Sequence, residues 1–391
     1  MNGFKIHRAK WILPIFCPPI ENGAIAISQG KILEVGNYKE IRKKINGEVI
    51  DHGEGILFPA LVNVHTHLEL SALKGIKKDN FVDWLSSIIV AKMGLKREKR
   101  KEAEKKAYND LKITGTALFG NIKNIPENDN LPGEVIFFEF IGFNENIAQK
   151  RWKNWLNFIE TYPKVMPSAH SPYSVHPKFL KKIKKLAREN KKIFSIHVAE
   201  SEAEVEFLLT GKGKIASLLK EKGVWEDGLI PKKRPIDYLE SLKILDSNTL
   251  CVHCIEVTQK EIEILKKYKV KICICPRSNA NLGLKKPPLF LFKKFGLFLC
   301  LGTDSLASNE DLNLFKEMGY LLNEGIFSPS ELLEMGTWKG SIALGFGCRF
   351  GTFFPHAEAK ILFSPIIGKN LAEAVIIAGI ERKVRWIENY A

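Results

Sequence analysis

The sequence predicts an α/β fold: a (β/α)8 barrel inserted into a small β domain built from both ends of the chain. From Phe58 onward, strand-like apolar runs alternate with long charged amphipathic segments, the signature of a parallel sheet with crossover helices. Such units fill well over half of the 391 residues, a length that suits a barrel better than a doubly wound sheet. The first 57 residues differ in texture, being rich in short β-prone runs.

Taken in order, 24–28 and 31–35 read as strands joined at Gln29-Gly30, a hairpin signal. The barrel strands are expected at 61–64, 116–119, 135–141, 193–198, 250–253, 270–275 and 297–301. Helices are expected between most of them, at 81–112, 178–189, 202–209, 260–268 and 312–322. After Trp338 a short helical stretch gives way to a Gly- and Phe-rich segment, and 359–363 reads as a last strand. The expected domain limits are 1–57 and 345–391 for the two parts of the β domain and 58–344 for the barrel.

Composition narrows the class. A hydrophobic share of 45% over 391 residues supports a large core. No run approaches the roughly 18 apolar residues of a membrane span, and the opening MNGFKIHR lacks the apolar core of a secretory signal. Seven cysteines, an odd number in a long chain, argue for a reducing compartment, so a cytoplasmic protein is expected. The net charge of +15 invites a nucleic-acid reading. The densest basic stretch, however, carries Phe179, Leu180, Ile183 and Leu186 at helical spacing, which makes it a solvated helix face. No zinc finger or RNA-recognition signature accompanies it.

The chemistry is concentrated at strand ends. In Phe58-Pro-Ala-Leu-Val-Asn-Val-His65-Thr-His67-Leu-Glu69, the two histidines are two apart on a buried strand and point the same way. Side-by-side imidazoles suit a borderline divalent metal such as zinc or iron. Two more strands end in His197 and His253, and another in Asp304; Glu200 follows His197 by three residues. In a barrel, polar groups at the C-terminal ends of four strands converge. Each alone reads equally well as a satisfied core residue or a helix cap; five together do not. Cys251, Cys254, Cys273 and Cys275 lie in strands, where Cys behaves as a small hydrophobe rather than a ligand.

Five motifs then carry a resemblance. Asn63-Val-His65-Thr-His67-Leu-Glu69, Ser168-Ala-His170-Ser-Pro-Tyr-Ser, His197-Val-Ala-Glu200-Ser-Glu-Ala-Glu, Cys275-Pro-Arg277-Ser-Asn279 and Gly302-Thr-Asp304-Ser-Leu-Ala-Ser-Asn309 appear in this order. Together they resemble the amidohydrolase superfamily, in its nucleobase and nucleoside deaminase branch. The resemblance implies a distorted (β/α)8 TIM barrel, a flanking small β-sandwich from the N- and C-terminal segments, and one divalent metal, Zn2+ first and Fe2+ as the alternative. By position the ligands would be His65, His67, His197 and Asp304. Glu200 would shuttle protons, His253 would orient the attacking water, and His170 would contact the heterocycle. The tail around Phe350-Gly-Thr-Phe-Phe-Pro departs from relatives, which touches the β domain rather than the metal site.

The implied activity is hydrolytic deamination of an adenine-type nucleoside, with release of ammonia. The loop bearing Arg277 looks most similar to aminodeoxyfutalosine deaminases of menaquinone biosynthesis. Arg277 is a good bidentate partner for a substrate carboxylate, and pairing with an acid such as Glu310 is the competing reading. Glu69 is expected to accept hydrogen bonds from a ribose or a ring amine, or else to support the ligands. Alternatives are methylthioadenosine/adenosylhomocysteine or guanine deaminase, and a chlorohydrolase or cyclic-amide hydrolase on the same site. Cyclic-amide hydrolases commonly bridge two metals with a carboxylated Lys, for which Lys123 is the one residue to inspect. A non-catalytic binder of the same fold ranks last. The expected partner is a small nucleoside or heterocycle, with no nucleic acid, no membrane, and a homodimer by family analogy.

Overall fold

A computed structural model describes residues 3–127 and 131–387. Five strands open the chain: β1 (Lys5–Ile12), β2 (Ile20–Ser28), β3 (Lys31–Asn37), β4 (Glu48–Asp51) and β5 (Ile56–Pro59). Eight follow as β6 (Leu61–Thr66), β7 (Thr116–Lys123), β8 (Glu134–Phe140), β9 (Met166–Ala169), β10 (Phe194–Val198), β11 (Thr249–His253), β12 (Lys271–Ile274) and β13 (Phe298–Leu301). The last two are β14 (Ile361–Ser364) and β15 (Arg385–Trp386).

The first five and the last two strands make one seven-stranded sheet in the order β15-β14-β5-β1-β2-β3, with β4 also on β1. The β2–β3 hairpin turns at Gln29 and Gly30, whose φ values of 49° and 72° are the left-handed pair that a two-residue turn demands. Alternation along β2 sorts its side chains onto two faces. Ala24 and Ala26 join Ile6 under the helix Tyr38–Lys44, through Ile41. Ile25 and Ile27 pack with Phe353, Ala357 and Ala359 of the tail. The phenylalanine-rich tail is therefore core material, and β14 pairs antiparallel with β5 through Leu362 opposite Phe58.

The other sheet has eight strands in sequence order from β6 to β13. From β8 to β13 each strand pairs in parallel with the next. It is drawn nearly shut by a parallel bridge between Thr66 and Asp304, where the Asp304 N–H donates to the His65 carbonyl at 3.0 Å. β6 and β10 are buried along almost their whole lengths, as strands covered on both faces must be.

β9 was not expected from the sequence. Its four residues, Met-Pro-Ser-Ala, are short and contain Pro167, which marks a run as a poor strand. The stretch read as one helix over 81–112 is two, Phe81–Met93 and Arg97–Ile113, parted at the capping Gly94. The basic stretch is the helix Pro177–Glu189, which buries Phe179, Leu180, Ile183 and Ala187 and turns most of its lysines outward.

The described residues divide into two compact units. One holds the chain up to Val64, Asn109–Phe119 and everything from Leu312 on; the other holds His65–Tyr108 and Gly120–Asp311. All residues singled out for chemistry belong to the second. No helix among the described residues is long and apolar enough to cross a membrane. The seven cysteines are free thiols, five of them buried.

Candidate active site

β6 carries the first two candidate ligands. His65 and His67 share one side of the strand, while Thr66 between them donates to the Gly120 carbonyl at 3.0 Å on the other. β10 presents His197, and the three Nε2 atoms form a tight triangle. They lie 3.1 Å apart for His65–His67, 3.3 Å for His67–His197 and 3.2 Å for His65–His197. Asp304, just past β13, places Oδ1 3.8 Å from His65 Nε2 and 3.6 Å from His67 Nε2. Its Oδ2 is anchored by the hydroxyls of Ser278 and Ser308 at 2.7 and 2.9 Å.

Three strand ends on this side lead into left-handed backbone. His253 and Cys254 have φ of 75° and 49°, Ala199 has 52°, and Asp304 has 58°. Such backbone is costly for residues with a Cβ, at about 1–3 kcal/mol each, and concentrates where side chains must be aimed.

Protonation states follow from burial. It holds His67 down to about 3, with Asp304 opposing and the neighbouring His197 adding to the fall. His65 and His197 are likewise lowered, burial being the main cause. Neutral imidazoles result. His197 Nδ1–H donates to the His170 carbonyl at 2.8 Å, which leaves the Nε2 lone pair facing the triangle. Buried, neutral lone pairs converging with a fixed carboxylate are what a divalent cation requires, so the residues present fit a metal.

Glu200 stands beside this cluster with Oε1 3.4 Å from His253 Nε2. Burial first, then Asp304 and Glu204, push its carboxyl well above the usual range, which favours the protonated form. Its backbone N–H donates to Glu204 Oε2 at 2.9 Å. His253 is lowered to about 4 by burial. Its Nδ1 lies 3.0 Å from Asn279 Oδ1, which can only accept, so Nε2 keeps its lone pair toward the cluster. His170, lowered to about 4 by burial, is fixed by Ser174 Oγ at 2.6 Å, and its ring lies 5.3 Å from that of His197.

The remaining expected residues fall differently. Glu69 is buried and paired with Lys92, and its Oε2 accepts the Asn124 N–H at 3.3 Å. Arg277 meets Asp311 at 3.0 Å and Glu310 at 3.7 Å, so its guanidinium is engaged with protein acids. Lys123 is buried in an ion pair with Glu134 at 2.7 Å. Two residues escaped the sequence reading. Lys92 was hidden in a basic amphipathic run. Glu139 was the lone charge inside the apolar run 135–141, and that isolation was the available signal. Burial raises the Glu139 carboxyl, and its Oε1 lies 3.6 Å from His197 Nδ1.

Residues 145–375 match the family model described as Amidohydrolase family. A 5-methylthioadenosine/S-adenosylhomocysteine deaminase of Aquifex aeolicus is 30% identical over 357 residues, covering 81% of this chain and 74% of its own length. The chain belongs to the amidohydrolase family. An aminodeoxyfutalosine deaminase of Nitratiruptor is 30% identical over 350 residues, with 84% of each chain covered. Among solved structures, Helicobacter pylori aminofutalosine deaminase in complex with methylthio-coformycin superposes with a TM-score of 0.86. It is 22% identical over 98% of this chain and 97% of that one, which speaks to the shared fold. Amidohydrolases are metal-dependent, in keeping with the imidazole triangle.

Proposed function

We propose that this amidohydrolase is a metal-dependent hydrolytic deaminase of adenine-type nucleosides. The observation that carries the reading is a buried Glu200, its carboxyl pushed upward by burial, set beside His253 at 3.4 Å and next to three converging imidazoles. His65, His67, His197 and Asp304 would hold the cation, and the set of three imidazoles and one carboxylate suits Zn2+ or Fe2+. A divalent ion held by these residues would lower the pKa of a water beside it and so make a nucleophile available at neutral pH.

The chain's own groups do the rest. His253 offers its Nε2 lone pair to orient the attacking water, and Asp304 accepts a water proton. Glu200 gives its proton to the ring nitrogen as the amino-bearing carbon becomes tetrahedral, so negative charge does not accumulate there. As the carbonyl forms, Glu200 takes the proton left on the attacking oxygen and delivers it to the departing amine, ammonia leaves, and the proton held by Asp304 returns Glu200 to its acid form. His170 packs against the heterocycle.

Among nucleosides, aminodeoxyfutalosine is the first candidate and methylthioadenosine or adenosylhomocysteine the second. The pairing of Arg277 with Asp311 weakens the argument that it binds a substrate carboxylate, because that acid must first be displaced. A two-metal cyclic-amide hydrolase is disfavoured by the commitment of Lys123 to Glu134.

Glu200→Gln tests the mechanism. The amide keeps shape but carries no transferable acid proton, so turnover is expected to fall at least about a hundredfold while metal content stays at the wild-type value. Wild-type turnover in the variant would remove Glu200 from the proton path.

A further inference from the structure

Glu139 lies at the end of β8, outside the set of groups used so far. Its carboxylate is within 4.8 Å of ring nitrogens of both His170 and His197, so it stands beside the residue placed against the heterocycle. It is 5% exposed, and its Oε1 has no hydrogen-bond partner among the described residues. The neighbouring His197 Nδ1–H is already given to the His170 carbonyl at 2.8 Å, against 3.6 Å to Glu139. The other oxygen, Oε2, is held by Asn124 Nδ2 at 3.4 Å, and Asn124 Oδ1 is in turn held by Lys92 at 2.6 Å. One carboxylate oxygen is thus held by Asn124 while the other is buried without a protein donor, an arrangement that disfavours burial unless a ligand supplies the donor.

The chemistry of the ligand narrows which donor that is. The ring nitrogens N1, N3 and N7 of an adenine nucleoside are acceptors. Its exocyclic amine is the reacting group and belongs beside Glu200 and His253. Only the sugar hydroxyls remain as donors.

We infer that Glu139 is a specificity-determining residue whose Oε1 accepts a hydrogen bond from a sugar hydroxyl of the substrate. This rests on the nucleoside-deaminase reading. It adds a selection that metal chemistry alone does not impose: a free base, or a nucleoside lacking that hydroxyl, leaves a buried acceptor unpaired and is discriminated against.

The test compares adenosine with its 2′-deoxy and 3′-deoxy forms in wild type, Glu139→Leu and Glu139→Gln. Both kcat/KM of the metal-loaded enzyme and calorimetric binding to the metal-free protein are read. Wild type is expected to lose roughly tenfold to a hundredfold in both on removal of one of the two hydroxyls. In E139L the same pair should differ by less than about threefold, with wild-type metal content showing that the imidazole cluster survives. E139Q keeps the volume and a neutral acceptor, and should discriminate by an intermediate factor; it carries the test if E139L does not fold. Unchanged discrimination in E139L, or in E139Q should that variant alone fold, overturns the inference. So does a wild type indifferent to both hydroxyls. Deamination of none of these nucleosides by metal-loaded wild type, together with no binding to the metal-free protein, would instead bring down the nucleoside reading, and Glu139's role with it.

Discussion

A carboxyl group serves as an acid at neutral pH only where its surroundings refuse the charge, and two neighbouring glutamates meet that condition. Glu200 is raised by burial, Asp304 and Glu204. The protonated form is the one the proposed mechanism uses, so kcat/KM is expected to hold through neutrality and fall on the alkaline side as Glu200 ionises. A pH–rate profile checks this, and a profile rising into the alkaline range would contradict it. Glu204, raised to about 7 chiefly by burial, bears on stability. Its folded pKa lies above the unfolded value of about 4.3, so the native state binds the extra proton between the two. Its contribution therefore favours folding less as pH rises from about 4.3 to 7, and is constant beyond. Glu204→Gln should remove that slope, which is measured as the pH dependence of Tm for variant and wild type; an unchanged slope would show that Glu204 does not titrate in this window.

At the scale of elements, the approach of β13 to β6 depends on Gly302. A Cβ there would meet the His65 carbonyl at 3.0 Å, His65 Cβ at 2.8 Å and Cys273 Sγ at 2.8 Å. Gly302→Ala must therefore push β6 outward and disturb the bond between the Asp304 N–H and the His65 carbonyl. The expected result is at least tenfold weaker metal binding, with secondary structure by circular dichroism largely retained; wild-type affinity would show that the strand yields without moving His65.

The same scale explains what could be read beforehand. Strands ending in His65, His197 and His253 were legible because an apolar run closed by a polar residue is conspicuous. β9 was not, since Pro167 breaks the pattern of a four-residue strand. The helix Leu371–Ile380 was missed for a different reason. It is apolar on nearly all sides, with Val375, Ile376 and Ala378 buried, so it has no 3.6-residue alternation to detect.

For the molecule as a whole, the cluster built from β6, β10 and β13 joins residues more than two hundred positions apart in sequence. Without a cation, neutral imidazoles and a carboxylate are gathered for no folding benefit of their own. Removing metal with a chelator is expected to lower Tm by several degrees, and zinc to restore it, because an ion that binds only the folded state stabilises it by mass action. An unchanged Tm would mean that no ion is held with useful affinity. The residues gathered in the imidazole cluster stood at strand ends, and their convergence was legible in sequence. Lys92 and Glu139 were not, because their meaning depends on what the barrel brings beside them: Glu69 and Asn124 for one, His170 and His197 for the other. The pairing of Arg277 with Asp311 also belongs to this scale, being a contact between residues 34 positions apart.

The most direct measurement is ammonia release by protein loaded with one equivalent of zinc or iron, across aminodeoxyfutalosine, methylthioadenosine, adenosylhomocysteine, adenosine, guanine and cytosine. Strong preference for an adenine nucleoside, lost on chelation and restored by metal, is the expected result. Metal bound at one equivalent with no ammonia from any of the six would contradict the deaminase reading and leave a different hydrolytic reaction at the same site.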